Sequence, residues 1–387
     1  MDTDRRLGIA YFAVLGVGCV AVAAVGTALR PGPYKLLDWA INYEGGFVRR
    51  GLTGQAFLIA ERSTGVSIAL QVSITVAALY AVILWAVYRL WARGGYDGRF
   101  ALLIAAPFFL LFPIASYHGA GRKEILFLAA FALLCLAASR ATDPRRLRRG
   151  FLLFALVMPA IVLAHEATAF FLGLPLTLAR VLGMRARDLG ILAIAAVPTL
   201  LALALVTFGA ITTSDQIADI CGSLQGPLGA PALAAECAVT DNAVTWLMRD
   251  FDSAIASVTS FLPDYLMTIG PALILISIAF VPLRHLIASD ARPLTMGMTL
   301  ACLFCAPLFV AAIDWGRFLH VLSSGLAMIL LTLRARAPLA ASDRPAAPGV
   351  AVVGIYALGW NLSYLGPLVG GGLVAEIASR VLPLAGR

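Results

Sequence analysis

Arg5-Arg6, then LGIAYFAVLGVGCVAVAAVGTAL (Leu7 to Leu29), then Arg30 is the stretch that decides the fold. The run between the arginines has 23 residues and no charge. As a helix it rises about 34 Å, enough for a hydrocarbon core of ~30 Å. Arg30 stands where a cleavage site would need small residues, so the run is expected to remain as a first membrane span.

Working outward, ten more apolar segments follow, at about 66–88, 100–116, 125–139, 151–164, 167–182, 189–211, 265–283, 294–312, 318–333 and 349–369. Of 387 residues, 61% are hydrophobic and 13% charged, and the mean hydropathy is +0.91. So little polar surface cannot cover a soluble core of this size. That excludes a soluble enzyme, a disordered chain and a nucleic-acid binder. The expected fold is all-α: one polytopic membrane domain over 1–387, with about eleven transmembrane helices, since only helices or closed barrels satisfy a backbone in lipid.

The net charge of +8 resolves by sidedness. Alternate connections hold 18 of the 29 basic residues against 7 acids, a balance of +11, and the others hold 11 basic residues against 14 acids, −3. The positive-inside rule then expects the N-terminus in the cytoplasm and the C-terminus outside, in a bacterial inner (plasma) membrane. Cys19, Cys135, Cys302 and Cys305 lie in apolar segments and read as core. Cys221 and Cys237 share the longest outer loop, where a disulfide is expected.

The inner loops are short and arginine-rich, whereas four outer connections carry dense mixed polarity. Residues 30–65 contain Asp38-Trp39 and Asn42-Tyr43-Glu44-Gly45-Gly46-Phe47-Val48-Arg49-Arg50-Gly51, then a mildly amphipathic stretch. One or two short interfacial helices are expected there. The others are Tyr117-His118-Gly119-Ala120-Gly121-Arg122-Lys123-Glu124, Ala164-His165-Glu166 and Asp314-Trp315-Gly316-Arg317. The segments beside them have about 14 to 17 residues and rise about 21–26 Å, short of a hydrocarbon core of ~30 Å, so the turns should sit at or slightly below its outer boundary. Charge at that depth is costly unless paired or wet. The turns are therefore expected to share one outward-opening polar cavity. The loop at about 212–264 is acidic and rich in Gly and Pro, a candidate lid.

Arginine offers a planar fork for phosphate. Arg49, Arg50, Arg122, Lys123 and Arg317, with His118 and His165, form the expected binding set. Asp38, Glu44, Glu124, Glu166 and Asp314 are the candidate general bases. Polyprenyl-linked sugars place a phosphate at this depth with the tail in lipid. The layout resembles the lipid-linked-sugar glycosyltransferases of the GT-C class and the related bacterial O-antigen and exopolysaccharide polymerases. That resemblance rests on Asp38-Trp39 and Asn42-Tyr43-Glu44 in the first outer loop, and on Arg49-Arg50 and Arg317. It implies an outward-facing active site, a polyprenyl-phosphate-linked glycan and membrane lipid as partners, no nucleic acid, and Asp38 or Glu44 as base. The wider set from Gly45 to Gly51 with the three later turns is similar to one carried by uncharacterised bacterial membrane proteins.

Two other readings stand beside this one. A transporter or flippase of an anionic lipid or solute is favoured by Pro107, Pro113, Pro159, Pro175, Pro198 and Pro307, which interrupt spans. A metal-dependent hydrolase would draw on His118, His165, Glu166, Asp314 and His320 for a divalent metal. No cofactor motif is present, so none is expected beyond such a metal.

Overall fold

A computed structural model describes residues 3–24, 34–116, 119–210, 212–224, 233, 235, 237, 239, 241–289, 291–337 and 347–375. The apolar runs form helices with little else between them. In order they are α1 Thr3–Ala24, α2 Leu36–Ala40, α3 Gly51–Thr64, α4 Ile68–Arg93, α5 Ala101–Ile104, α6 Phe112–Ala115, α7 Glu124–Arg140, α8 Pro144–Ala164, α9 Gly173–Val181, α10 Ala186–Ala195, α11 Val197–Phe208, α12 Ser214–Ser223, α13 Phe251–Ile278, α14 Arg284–Ser289, α15 Ala291–Ala311, α16 Trp315–Arg336 and α17 Val350–Gly359. A two-stranded antiparallel hairpin pairs Asn361 with Gly370 and Leu362 with Val369.

Among the described residues, six segments are long and apolar enough to cross a membrane: α4, α8, α10–α11 together, α13, α15 and α16. Burial separates their roles. The apolar window of α16 is 83% buried and that of α13 only 17%, so α16 is the central post and α13 shows most of its surface to lipid. Small residues permit close crossings around the post. A Cβ on Gly173 of α9 would stand 2.3 Å from Ala301 Cα of α15. Such approach is how helices pack where lipid removes any hydrophobic drive.

Several expected spans are not continuous α-helices: 167–182 starts as a 3-10 helix over Glu166–Phe171 before α9, 189–211 is stepped at Ala196 between α10 and α11, and two more break outright. Segment 100–116 breaks after α5, runs irregularly through 105–111 and resumes as α6. Pro107 and Pro113 cause this, since each lacks an N–H and disfavours helix in the residue before it. The freed carbonyls find side chains. Phe108 O accepts from His320 Nδ1 at 2.7 Å and from Ser324 Oγ at 3.3 Å, and Ile104 O accepts from the Tyr11 hydroxyl at 3.1 Å. Segment 349–369 is helical only to Gly359 and then becomes the hairpin. Helix α13 begins at Phe251, inside the stretch read as loop, where Asp250 Oδ1 caps it by accepting from Ser253 N at 2.8 Å.

The ends of the helices sort as the charges do. At one end Arg334 Nε and Arg99 Nη2 both meet Asp97 Oδ2, at 2.7 and 2.6 Å, and Arg336 Nη1 donates to Ala138 O at 2.7 Å. All of these residues belong to the arginine-rich connections or adjoin them. The mixed-polarity turns meet at the other end.

Candidate functional site

Four element starts supply the site. Arg50 is the residue before α3, Lys123 and Glu124 open α7, His165 and Glu166 follow α8, and Asp314 and Arg317 open α16. Each follows a turn because glycine, an extended residue or a helix stop ends the preceding run. Helix α3 is drawn close to α2 by Gly54, where a Cβ would stand 2.0 Å from Ile41 O. Trp39 Nε1 donates to Gly121 O at 2.7 Å and joins the first outer loop to the second.

The side chains then form one chain of ion pairs. Arg50 Nε and Nη2 grip Glu166, with Nη2 to Oε1 at 2.6 Å, and Arg50 Nη1 lies 3.7 Å from Asp38 Oδ1. Lys123 Nζ donates to Arg50 O at 2.9 Å. His165 Nε2 and Arg317 Nη1 both meet Glu124 Oε1, at 3.1 and 3.0 Å. Arg317 Nη2 also pairs with Asp314. Arg50 holds a left-handed backbone at φ 67, which costs a non-glycine residue about 1 kcal/mol. The grip of Glu166 and the bond from Lys123 hold it there.

Burial and charge compete here. Burial alone would raise Asp38, but Lys123, Arg122 and Arg50 outweigh it and hold the carboxyl below its ordinary value. Glu166 behaves alike: burial raises it, and the charge and hydrogen bonds of Arg50 pull it well below the carboxylate range. Burial pushes the Lys123 ammonium down to about 8, against the opposing pull of Asp38.

Among the described residues, five buried polar atoms here have no hydrogen-bond partner: Asp38 Oδ1, Arg49 Nε, Arg122 Nε, His165 Nδ1 and Arg317 Nε. Buried orphans are rare in proteins and call for an explanation. Three of these are guanidinium N–H donors and one is a carboxylate acceptor.

Not every expected residue is ion-paired within the cluster. Glu44 turns outward to Arg62, whose hydrogen bonds at 3.0 Å hold it below its ordinary value. Arg49 donates through Nη2 to Trp246 O at 2.8 Å and Leu247 O at 3.2 Å, and so clasps the acidic outer loop. Arg122 donates to Tyr34 O. His118 lies outside the described residues. His320 sits below the cluster, its ring stacked on Phe112 at 3.9 Å. Among the described residues no group of three or more His, Cys, Asp or Glu is placed to hold a metal ion. Cys221 and Cys237 form a disulfide, Cα–Cα 5.9 Å.

Sequence reasoning did not reach Tyr34, Tyr80 or Trp246. Tyr80 Oη accepts from Gly121 N at 3.0 Å, and Trp246 Nε1 donates to Tyr34 Oη at 3.0 Å. These contacts cross 41 and 212 residues, and no local pattern marks them.

Residues 9–256 match the family model "Uncharacterised membrane protein Rv1490". The chain belongs to this family. The match takes in Asp38, Arg49-Arg50, Lys123-Glu124 and His165-Glu166, and stops before Asp314 and Arg317. No curated protein and no solved structure matches the chain.

Proposed function

We propose that the protein is a membrane glycosyltransferase or polysaccharide polymerase. Its donor is a sugar on a polyprenyl (di)phosphate, used at the outer (periplasmic) face of a bacterial inner membrane, with the N-terminus in the cytoplasm. The observation that carries this is the group of orphaned polar atoms at the ion network. Among the described residues, Arg49, Arg122 and Arg317 each keep a buried Nε–H without an acceptor, and Asp38 Oδ1 keeps an acceptor without a hydrogen-bond donor. A phosphate ester supplies acceptors for the first set, and an acceptor hydroxyl supplies the donor for Asp38.

In this reading the acceptor oxygen attacks the anomeric carbon, and the bond from that carbon to the phosphate oxygen breaks. The phosphate leaves with the electron pair, steadied by the arginines. The hydroxyl proton passes to Asp38 Oδ1, the general base. Glu166 and Glu124 hold Arg50 and Arg317 in place and are positioning residues.

The test is sugar transfer by the purified chain in detergent, from a labelled polyprenyl-phosphate sugar to a glycan acceptor. Arg317→Gln should lower kcat/KM by about a hundredfold or more, the scale of one lost charge-stabilising donor. Full activity in a folded Arg317→Gln protein refutes the assignment.

The irregular stretch 105–111 favours a second reading, a transporter or flippase of an anionic lipid or solute, because unwound backbone in a helical bundle is characteristic of such proteins. The assays separate the two. Transfer needs no compartment, whereas transport shows only as movement across a sealed vesicle.

A further inference from the structure

Arg49 and Arg50 carry the same side chain and use it differently. At Arg50 the fork of Nε and Nη2 holds the Glu166 carboxylate. This is the planar geometry in which a guanidinium takes an oxyanion. At Arg49 the same fork is divided. Nη2 donates to Trp246 O at 2.8 Å and to Leu247 O at 3.2 Å, while Nε is buried with no partner among the described residues.

The two carbonyls come from one turn. Thr245–Met248 forms a short 3-10 helix, and carbonyls at a helix end are left short of intrahelical donors. The turn is seated independently of Arg49. Trp246 Nε1 donates to Tyr34 Oη at 3.0 Å and to Asp241 Oδ1 at 2.7 Å. Asn242 Oδ1 accepts from Val244 N and Thr245 N, at 2.8 and 3.0 Å. Two acceptors brought to one guanidinium nitrogen imitate two oxygens of an oxyanion. A true oxyanion that takes Arg49 as Glu166 takes Arg50 needs Nε and Nη2 together, and so displaces the carbonyls. The exchange favours the oxyanion, because it adds the attraction of a full opposite charge at a site largely out of water.

We propose that the turn Thr245–Met248 is an internal ligand of Arg49, and that an oxyanion bound there releases it. The seated turn is the resting, autoinhibited form of the site, and the turn is free when the site is occupied. The proposal rests on the reading of the cluster as a phosphate site and adds how that site is regulated. Coupling between two binding events is reciprocal, so whatever loosens the turn tightens anion binding. A lid that closes over its ligand has the opposite sign. Release should also be local. Helix α12 is seated on the first outer loop by contacts that leave Arg49 out: Asn42 Nδ2 donates to Ser223 Oγ at 2.9 Å, and a Cβ on Gly45 would stand 2.6 Å from Gln216 O.

The test is hydrogen exchange, read by mass spectrometry on the full chain in nanodiscs, with pyrophosphate as the probe. Saturating pyrophosphate should speed exchange of the amides of 244–249 by about fivefold or more, the scale of one lost hydrogen bond, and leave those of α12 unchanged. Arg49→Met should show the fast rate from the start and no further response. Trp246→Phe removes the bonds to Tyr34 and Asp241 and touches no cation of the cluster. It should bind pyrophosphate about fivefold more tightly than the wild type. Slower or unchanged exchange in saturating pyrophosphate overturns the proposal, as does equal or weaker binding by Trp246→Phe. Should either variant fail to fold, the sign of the wild-type response decides. Pyrophosphate that binds none of these proteins removes the phosphate site and this proposal with it. Binding without release sinks the proposal and leaves the phosphate site standing, and release without any sugar transfer supports the proposal and sinks the transfer reading alone.

Discussion

Glu166→Ala should uncover how much the Arg50 grip contributes. In the wild type Arg50 makes contacts of 2.9, 3.0 and 2.6 Å to the two Glu166 oxygens, with side chains 22% and 16% exposed. Removing one partner of a fully buried pair costs about 3–5 kcal/mol, and an exposed pair contributes about 0–1. With a fifth of each side chain in water, about 2–3 kcal/mol is expected. Asp38 at 3.7 Å is too far to replace three hydrogen bonds. The backbone of Arg50 adds a second effect. Its φ of 67 costs about 1 kcal/mol, which Arg50→Gly relieves. That relief is common to Arg50→Gly and the double variant and cancels in the cycle, so Arg50→Gly/Glu166→Ala should be more stable than the two single losses added together by about 2–3 kcal/mol, from the ion pair alone. The assay is unfolding of purified protein in mixed micelles, followed by tryptophan fluorescence and read as a double-mutant cycle. A coupling energy below about 0.5 kcal/mol would show that the two residues act independently and refute the argument.

Three further outcomes are expected. Asp97→Asn leaves Arg99 and Arg334, both nearly buried, without a counter-charge; it should destabilise by about 3–5 kcal/mol and leave KM for the donor unchanged, and a KM shift in the folded protein counts against a purely structural role. Lys123, pushed down to about 8 in the folded chain against 10.5 as its ordinary value, releases its proton earlier when folded than when unfolded; stability should therefore rise between about pH 8 and pH 10.5 by up to roughly 3 kcal/mol relative to Lys123→Met, and equal pH profiles for the two proteins would refute the burial argument. Arg49→Met removes the clasp on Trp246 and Leu247, so limited trypsinolysis after Arg249 should quicken several-fold, and an unchanged cleavage rate would show that the loop is held by other contacts.

Helices α4, α8, α15 and α16 are long apolar runs with charged ends, and such runs read directly as spans. Pro107 and Pro113 were visible as interruptions, but their outcome was not. Whether such prolines kink a helix or unwind it depends on whether distant groups donate to the freed carbonyls. Here His320 and Ser324, more than 200 residues away, do so. The cluster itself follows from charge placed beside short segments, which is local information. Which members face each other is not. Arg49 and Arg50 are neighbours in sequence, yet one holds a loop and the other a carboxylate, because the left-handed turn at Arg50 sends the two side chains apart. Glu44 looked equivalent to Asp38, and only the position of Arg62 on α3 draws it outward.

The cations of the cluster are Arg49, Arg50, Arg122, Lys123 and Arg317, and the carboxylates are Asp38, Glu124, Glu166 and Asp314, so with neutral histidine the set carries a single positive charge. The starts of α3, α7 and α16 also point partial positive charge at the same place. Without a ligand, the carboxylates answer both. A bound diphosphate would turn the balance negative, and the proton released by an attacking hydroxyl would then be retained rather than lost. His165 is placed for that: Nε2 rests on Glu124 and Nδ1 is buried, unpartnered and 3.9 Å from Glu166. A proton received at Asp38 and passed to His165 offsets the negative charge that the phosphate gains when its bond to carbon breaks. His165→Phe should accordingly lower kcat more than it raises KM, and its transfer rate should fall less steeply with decreasing pH than that of the wild type, because Asp38, held below its ordinary value, then carries the proton alone. A parallel pH profile at a uniformly lower rate would assign His165 to packing and remove it from the proton path.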